Sequence, residues 1–545
     1  MFSSLRNNLR PWQLAGLLLF ALLTTTLLLW LLARPSTTPP KPEPLALQNT
    51  SRLTAPPRNS LPNRHSAKAS RLASPNPSDQ ALLHSENADE DAYQAYTIIL
   101  HNEEDYQRLK DWAAANGFRI IGELPRLFAL HFELTPSEYR RIHHDSGIDL
   151  TEEEEILIYT PDQLLDKYPE WTGNPGPAFG ANYRYYLGVD TTNTERGQGV
   201  TIAMLDTPLF RHSALDNANI TPIALRDDAG GSTSEHGTAV ASILTGTNGI
   251  SNANILAYSV LDGEDGTGSA FDLANAIVDA VDRGADIISM SLASYSDSIL
   301  LQNAVQYALE KQVILVAAAG NNGVEEVCYP AAYDGVLAVG AIDANGNVSG
   351  FSNYGEEITL VAPGVGLQAA SFDDEYAFFS GTSAAVPCVS AVLANYMAAN
   401  PSATTEDTLV ALLQNCNDTE DPGYDALSGF GILDAERMDS ITETRITDAA
   451  AAGITLEDNT LTVSAQNTGT ETLSQILLTT QINGVSITNA FEDVAPGTIV
   501  SAQGTLPEEV WQDTDYLMVR TTVTTPNIND IRPRNQTHTQ VFGVQ

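Results

Sequence analysis

The chain has 545 residues, 43% of them hydrophobic, and a formal net charge of −41; residues 1–80, with nine basic and two acidic residues, carry +7, so the remainder carries −48. A body this acidic repels nucleic acid, so we expect no nucleic-acid partner, and the length allows about three domains. Three cysteines, Cys328, Cys388 and Cys416, permit at most one internal disulfide, which excludes a disulfide scaffold.

The N-terminal region contains a segment long enough to cross a membrane. Leu14–Leu32 has no charged residue, and Trp12 and Trp30 lie near its ends, where interfacial aromatic residues are common. We predict an uncleaved anchor in residues 1–34 that contacts the lipid bilayer through Leu14–Leu32. A cleavable signal peptide is the alternative, although its apolar core is usually about 7–15 residues long. Basic residues on the two sides nearly balance, so they leave the orientation open.

Residues 35–92 have the composition of a linker. Ten prolines lie between Pro35 and Ser78, among serine, threonine and basic residues. The segment is poor in apolar groups, so we predict a disordered linker that forms an extended spacer after the anchor.

Residues 93–160 are predicted to form a compact α+β unit. Tyr96–Leu100 has the pattern of a strand, and Glu103–Asn116 has that of a helix. Thr135 and Glu138 have the spacing of a capping box, and Glu155–Tyr159 is predicted to be a final strand. The acidic run 152–155 is either solvated or a partner for helix dipoles of the domain that it covers.

Three polar residues lie at the ends of apolar elements further along the chain. Asp206 follows the strand-like run Gly199–Leu205, and His236 lies in the first turn of a predicted helix. Ser383 lies where a small-residue turn enters an apolar helix, and free N–H groups at a helix start favour negative charge. Taken alone, Ser383 is equally consistent with a helix cap, so the segments of Asp206 and His236 are needed to decide its role.

These segments resemble those of the subtilisin-like serine proteases. Asp206-Thr207, His236-Gly237-Thr238 and Gly381-Thr382-Ser383 match the family's motifs in the family's order. The resemblance implies a parallel sheet with helices on both faces over residues 180–445. It also implies that Ser383 is the nucleophile, His236 the general base and Asp206 the orienting carboxylate.

The predicted strand Val313–Ala317 runs into a Gly-Asn turn that contains Asn321. The resemblance implies that its side chain donates to the oxyanion, with the backbone N–H of Ser383 as the second donor. Such a donor is worth about 2.7–4 kcal/mol of barrier. The alternative is a turn residue that tolerates left-handed dihedral angles.

The resemblance also implies the residues that bind substrate. Gly266 and Gly268 lie in one segment and Ser291, Leu292 and Ala293 in another, and the two would clamp an extended polypeptide by β-augmentation. Their alternative roles are those of loop glycines and a strand end.

Several residues depart from the family pattern. Ala293-Ser294 replaces the usual Gly-Gly, and Cys328 stands where the family commonly has a small residue at the base of the specificity pocket. We therefore expect a shallow pocket for small apolar side chains. Pro208, Ala384 and Cys388 also depart from the family, but none of these changes removes a catalytic group.

Residues 93–160 resemble the inhibitor propeptides of the same family. The resemblance implies an intramolecular inhibitor whose last strand enters the active-site cleft. It also implies a self-cleavage point between Tyr159 and Gly180, where a cut would separate the catalytic domain from the predicted anchor. The alternative is an independent α+β domain.

Residues 447–545 are rich in threonine, valine and isoleucine, with turn signals between the runs. Asn483-Gly484 between alternating apolar residues predicts a hairpin. The pattern resembles cell-surface Ig-like modules and predicts a small all-β sandwich. Its role is substrate capture, wall attachment or packing against the protease.

The sequence therefore predicts a serine endopeptidase made as a membrane-tethered precursor, with its catalytic domain outside the cytoplasm and released after processing. No cofactor is required for the reaction, and a structural calcium ion is left unassigned. The alternative function is an inactive surface binding protein that uses the β-sandwich. The four dispersed polar residues of the predicted site favour the active enzyme.

Overall fold

The computed structural model describes residues 47–53, 92–161, 175–225, 234–262, 266–440, 445–457, 459–482, 485–507, 510, 516–526, 532 and 535–543. The predicted anchor Leu14–Leu32 and the predicted turn Asn483-Gly484 lie outside these residues. Within the described part, Thr382–Ala399 is the one helix long and apolar enough to cross a membrane. Most of this helix is buried inside the protein, as expected for a core helix.

The first strand, β1 (Gln48–Leu53), lies in the segment predicted to be a disordered linker. It pairs antiparallel with a strand near the C-terminus, Ile499–Thr505. An edge strand needs few apolar side chains, because its partner supplies the main-chain hydrogen bonds. The prediction of disorder is therefore wrong for this part of residues 35–92.

A small α+β unit follows, as the sequence predicts. Its elements are β2 (Gln94–Ile99), α1 (Glu103–Asn116), β3 (Arg119–Leu124), β4 (Ala129–Leu134), α2 (Pro136–Asp145) and β5 (Thr151–Glu154). The four strands form an antiparallel sheet in the order β3-β4-β2-β5. The capping box of Thr135 and Glu138 is present. Most of the acidic run lies in β5, where Glu152 and Glu154 are exposed and Glu153 is half-buried.

Strands and helices then alternate through the body of the protein. They are β6 (Leu157–Tyr159), α3 (Tyr183–Tyr186), β7 (Thr201–Asp206), β8 (Ile220–Ile223), α4 (Glu235–Leu244), β9 (Asn254–Ser259), β10 (Thr267–Ser269), α5 (Ala270–Asp282), β11 (Ile287–Met290), α6 (Ile299–Glu310), β12 (Ile314–Ala318), β13 (Val336–Ile342), β14 (Ile358–Pro363), β15 (Leu367–Ala370), β16 (Tyr376–Phe379), α7 (Thr382–Ala399), α8 (Thr405–Gln414) and α9 (Ala435–Asp439). The sequence did not predict β8, β14 or the hairpin of β15 and β16.

Seven of these strands form one parallel sheet in the order β14-β13-β12-β11-β7-β9-β8. Successive side chains of a strand point to opposite faces. In β7, Ile202 belongs to the core that contains Val240 of α4, whereas Ala203 belongs to the core that contains Ile277 of α5. Helices therefore cover both faces, which confirms the predicted α/β fold.

The C-terminal region is all β. Its strands are β17 (Ala449–Glu457), β18 (Thr460–Asn467), β19 (Leu473–Ile482), β20 (Val485–Val494), β21 (Ile499–Thr505), β22 (Tyr516–Thr524) and β23 (Thr537–Gly543). They form two antiparallel sheets, β1-β21-β18-β17 and β20-β19-β22-β23, the first of which includes the N-terminal strand. Ile482 pairs with Val485, on the two sides of the predicted Asn-Gly turn.

Buried polar contacts connect the two C-terminal β sheets to the α/β body. Arg532 donates to Asp448 at 2.9 Å and to the hydroxyl of Ser440, just after α9, at 2.6 Å. The ring nitrogens of His538 lie 2.8 Å from the carbonyl oxygen of Ala452 and 2.8 Å from Oδ1 of Asn347. The C-terminal region is therefore packed against the α/β body through specific hydrogen bonds.

Candidate active site

Asp206 and His236 meet at the carboxyl edge of the sheet. Asp206 is the last residue of β7, and His236 lies in the first turn of α4, whose N-cap Ser234 accepts a hydrogen bond from the His236 N–H at 3.2 Å. Nδ1 of His236 lies 2.7 Å from Oδ1 of Asp206. Because a carboxylate accepts, Nδ1 carries the proton and the ring's other nitrogen faces away from Asp206. Asp206 is fully buried, where such a hydrogen bond is stronger than in water.

The residues beside this pair fix its geometry. Thr207 donates to Oδ1 of Asp206 from its backbone N–H at 2.7 Å, and its hydroxyl accepts from the Gly237 N–H at 2.9 Å. A side chain at Gly237 would bring a Cβ within 2.5 Å of the Thr207 carbonyl oxygen. The Asp-Thr and His-Gly motifs are therefore two halves of one close contact.

Ser383 lies in the first turn of α7. Gly381 caps this helix with φ of 134°, a conformation that favours glycine. The Ser383 hydroxyl is buried and makes no hydrogen bond within the described residues. The hydroxyl of Ser291, just after β11, donates to the Ser383 carbonyl oxygen at 2.9 Å. The segment that carries the nucleophile candidate is thereby tied to the predicted substrate-binding segment.

Asn321 is held next to the same turn. The backbone N–H and the hydroxyl of Thr382 both donate to Oδ1 of Asn321, each at 2.8 Å. Two donors on the same atom fix which end of the amide is oxygen. The NH₂ group of Asn321 is consequently directed away from Thr382, as an oxyanion donor requires.

The predicted substrate-binding segments hold strand β6 between them. On one side, Thr267, Gly268 and Ser269 of β10 pair antiparallel with Tyr159, Ile158 and Leu157, and the carbonyl oxygen of Gly266 accepts from the Thr160 N–H at 3.0 Å. On the other side, Tyr159 and Ala293 exchange two backbone hydrogen bonds, at 3.0 and 2.8 Å. The end of the α+β unit thus occupies the groove formed by the two segments.

Most of the predicted substrate-binding residues are buried, Leu292 and Cys328 among them. Leu292 lies in the core that α5 and α6 share, and Cys328 clusters with Ala293, with Tyr159 and Tyr295 packed against the pair. Burial raises the pKa of the Cys328 thiol to about 12, so it stays protonated. All three cysteines are buried free thiols, and none forms a disulfide.

Residues 197–431 match the subtilase family, Peptidase S8. The thermostable alkaline protease of Halalkalibacterium halodurans is 30% identical over 329 residues, which are 58% of this chain and 85% of that protein. The chain belongs to the subtilase family. Subtilisin BL of Lederbergia lenta is 34% identical over 247 residues, or 44% of this chain and 90% of that protein. The solved structure of the prenylagaramide maturation protease PagA is 31% identical, with a TM-score of 0.41, over 45% of this chain and 94% of that one.

This subtilase is therefore a serine endopeptidase by family, and its site includes aromatic residues that sequence reasoning missed. The ring of Phe379 in β16 packs edge-on against that of His236, with 5.4 Å between centroids. Phe379 and Phe378 line a cavity of about 300 Å³ together with His236 and Thr160. Two short, mostly apolar stretches, 367–370 and 376–379, on either side of the acidic run 373–375 were the available signal for this hairpin.

Within the described part of the subtilase, no group of three or more histidine, cysteine or acidic side chains is placed to hold a metal ion. Several carboxyl groups are nevertheless buried near one another. Burial raises the pKa of Asp418 well above its usual value and that of Glu420 to about 7. The pKa of Asp425 is raised for the same reason. These residues lie in the loop after α8, which ends at Gln414.

Proposed function

We propose that Ser383, His236 and Asp206 form the catalytic triad of this endopeptidase. The Ser383 hydroxyl attacks the scissile carbonyl carbon while Nε2 of His236 accepts its proton, and Asp206 stabilises the imidazolium. His236 then returns the proton to the leaving amine. In the second half of the reaction water attacks the acyl-enzyme, and His236 accepts the water's proton and passes it to the departing Ser383 oxygen. The observation that carries the proposal is the 2.7 Å contact between His236 and Asp206 within the segment that matches subtilases.

The oxyanion of the tetrahedral intermediate is proposed to bind the NH₂ group of Asn321 and the backbone N–H of Ser383. Support comes from the two hydrogen bonds by which Thr382 holds the Asn321 oxygen, because they preorganise the amide before substrate arrives. Support for the second donor comes from the position of Ser383 in the first turn of α7, where N–H groups lack intrahelical partners.

Hydrolysis of an unfolded protein by the purified chain tests the triad. Ser383→Ala is expected to abolish turnover. Ser390→Ala is the matched control, because Ser390 lies in the same helix and its hydroxyl donates to Ser289 at 2.9 Å, away from the proposed chemistry. Turnover by the Ser383→Ala chain that equals turnover by the native chain would contradict the proposal.

The proposed substrate is a polypeptide bound in extended form by the segments of Gly266, Gly268, Ser291, Leu292 and Ala293. The backbone pairing of β6 with Thr267–Ser269 and with Ala293 supports this mode of binding. We propose a preference for small apolar side chains before the scissile bond, because Ala293 and Ser294 carry side chains where the family usually has glycines. Cleavage profiling with a peptide library tests this preference.

Residues 93–160 are proposed to be the inhibitor propeptide. Besides the strand in the groove, Glu153 supports the proposal: it accepts from the Ser298 hydroxyl at 2.8 Å and from the Ile299 N–H at 2.9 Å, at the start of α6. A carboxylate at a helix N-terminus is stabilising. His131 also stacks on Phe271 of α5, with 4.5 Å between ring centroids. The test is whether the fragment of residues 93–160 inhibits the processed enzyme. We expect inhibition by the native fragment and its loss in the Glu153→Ala fragment.

For the whole chain we propose an anchor (1–34), a linker (35–92) that is interrupted by strand β1, a propeptide (93–160), a catalytic domain (180–445) and an Ig-like β-sandwich (447–545). The anchor places the precursor in the cell membrane, with the catalytic domain on the extracytoplasmic side. No cofactor takes part in the reaction, nucleic acid is not a partner, and a structural calcium ion stays unassigned. Membrane fractionation of the full chain and of a chain without residues 1–34 tests the anchor.

A further inference from the structure

Strand β1 completes the edge of a C-terminal sheet although it precedes the propeptide-like unit in the chain. Five of its residues are in register with β21, from Gln48 opposite Gln503 to Leu53 opposite Ile499. Without β1, strand β21 would be the edge of that sheet and would present unpaired N–H and C=O groups. The N-terminal segment therefore fills a position that the C-terminal sheet provides.

Side-chain hydrogen bonds reinforce this pairing from the opposite sheet. The amide of Asn489, in β20, donates to the carbonyl oxygen of Leu47 at 3.0 Å and to Oδ1 of Asn49 at 2.8 Å. In return the amide of Asn49 donates to the Ala490 carbonyl oxygen at 3.1 Å. Leu47 is only 7% exposed. The segment is thus held by both sheets and by a buried apolar side chain.

We infer that residues 47–53 are a noncovalent tether that keeps the N-terminal fragment on the enzyme after the chain is cut. The inference rests on the proposed function, in which the chain is cut between Pro161 and Gly180 and a fragment that contains residues 1–160 is separated from the catalytic domain. A cut there breaks no contact between β1 and β21. The fragment remains attached at two places, the substrate groove and the sheet edge, and two attachments on one fragment bind more tightly than either alone. Cleavage and release are consequently separate events.

The test isolates the sheet edge from the groove and from self-cleavage. We would use the full Ser383→Ala chain with an N-terminal affinity tag and two inserted sites for an added, sequence-specific protease. One site lies in residues 54–91 and the other in residues 162–174. After both cuts, the tagged piece retains β1 but neither the α+β unit nor the catalytic domain. The amount of catalytic chain captured with the tag in detergent measures the tether.

The matched variants differ only in where two prolines are placed. The first variant is Ser51→Pro/Arg52→Pro. Consecutive N–H groups of a strand point to opposite sides, and proline has no N–H, so one of the two prolines always removes a donor to β21. Asn59→Pro/Ser60→Pro places the same change in the proline-rich segment outside β1. We expect about tenfold less capture for the first pair and none of this loss for the second. Asn489→Ala, which spares the backbone of β1, is expected to lower capture roughly fivefold.

Each outcome decides the inference. Strong capture that falls in Ser51→Pro/Arg52→Pro and in Asn489→Ala supports it. The inference is overturned if the tag captures no catalytic chain when β1 and Asn489 are unchanged. It is also overturned if capture is equal in all variants, because another surface would then hold the pieces together. Since the added protease makes both cuts whether or not the Ser383→Ala chain can cut itself, none of these results depends on the proposed triad or on self-processing.

Discussion

The hydroxyl of Ser291 donates a hydrogen bond to the carbonyl oxygen of Ser383 at 2.9 Å. In a regular helix the N–H of residue 387 would make that bond, but residue 387 is a proline and has no N–H. Ser291 therefore replaces the missing donor, and it does so from the segment that pairs with β6. Pro387, in the motif of the proposed nucleophile, and Ser291, in the proposed substrate-binding segment, are therefore linked, because the Ser291 hydroxyl supplies the hydrogen bond that the proline cannot make.

Ser291→Ala is expected to lower kcat by about tenfold with little change in KM. A buried carbonyl without a donor costs about 1–3 kcal/mol, and the turn that carries Ser383 would shift to relieve that cost. Steady-state kinetics check the effect, with Ser390→Ala as the control, because that variant removes another buried hydroxyl of α7. Equal kcat values for the two variants would show that the hydrogen bond does not position the nucleophile.

Asn321→Ala is expected to lower kcat by about 10²–10³ while leaving KM nearly unchanged, because the amide acts mainly on the transition state. Asn322→Ala is the control, since Asn322 is the next residue but accepts from the Tyr295 hydroxyl at 2.8 Å. A rise in KM at constant kcat would instead assign Asn321 to ground-state binding.

The local signals in the sequence predicted the elements that carry the site. The caps of α1 and α2, the apolar strands of the sheet and the positions of Asp206 and His236 depend on residues close together in the chain. The role of residues 152–155 was left open, because the partner that Glu153 contacts, the Ile299 N–H at the start of α6, is 146 positions away in sequence.

The missed elements depend on partners that local patterns do not reveal. Strand β1 is polar, and its contact between Asn49 and Ala490 spans 441 positions. Strand β8 is short, contains Pro222 and lies at the edge of its sheet, so its sequence lacks the apolar run of a central strand. Strand β14 is the exception: it is buried throughout and, apart from Thr359, apolar, so its sequence did carry the signal.

Glu420 is expected to make the stability of the fold depend on pH. Burial and the nearby Asp425, Asp421 and Asp343 raise its pKa from 4.5 to about 7. Between these values the folded protein binds more protons at this site than the unfolded chain, so stability falls as pH rises through this window. The ionised group costs about 3 kcal/mol above pH 7, and that cost is absent below about pH 4.5.

Thermal unfolding of Glu420→Gln across this range checks the effect. The variant is expected to gain stability relative to the native chain as pH rises from about 4.5 to about 7, with no further gain above. Glu406→Gln, at an exposed position of α8, is the control and is expected to track the native chain. A constant difference between Glu420→Gln and the native chain at all pH values would contradict the sign and the cause.

The mature N-terminus is expected to lie between Asp162 and Gly180. Tyr159 and Thr160 are paired with Ala293 and Gly266, so the bonds before them belong to the strand in the groove. The bond into Pro161 is a poor site because its amide is constrained. Mass spectrometry of the processed enzyme reads the cut directly, and Ser383→Ala is expected to remain full length. An active mature chain that begins before residue 95 would contradict this assignment.

The most direct test of the catalytic assignment is covalent labelling of the purified chain with a fluorophosphonate probe, followed by mass spectrometry of the labelled peptide. We predict that the probe's mass lies on Ser383, that labelling is lost in Ser383→Ala, and that it is retained in Ser390→Ala. A correctly folded, processed chain that never labels, or that labels at a residue other than Ser383, would contradict the proposed triad.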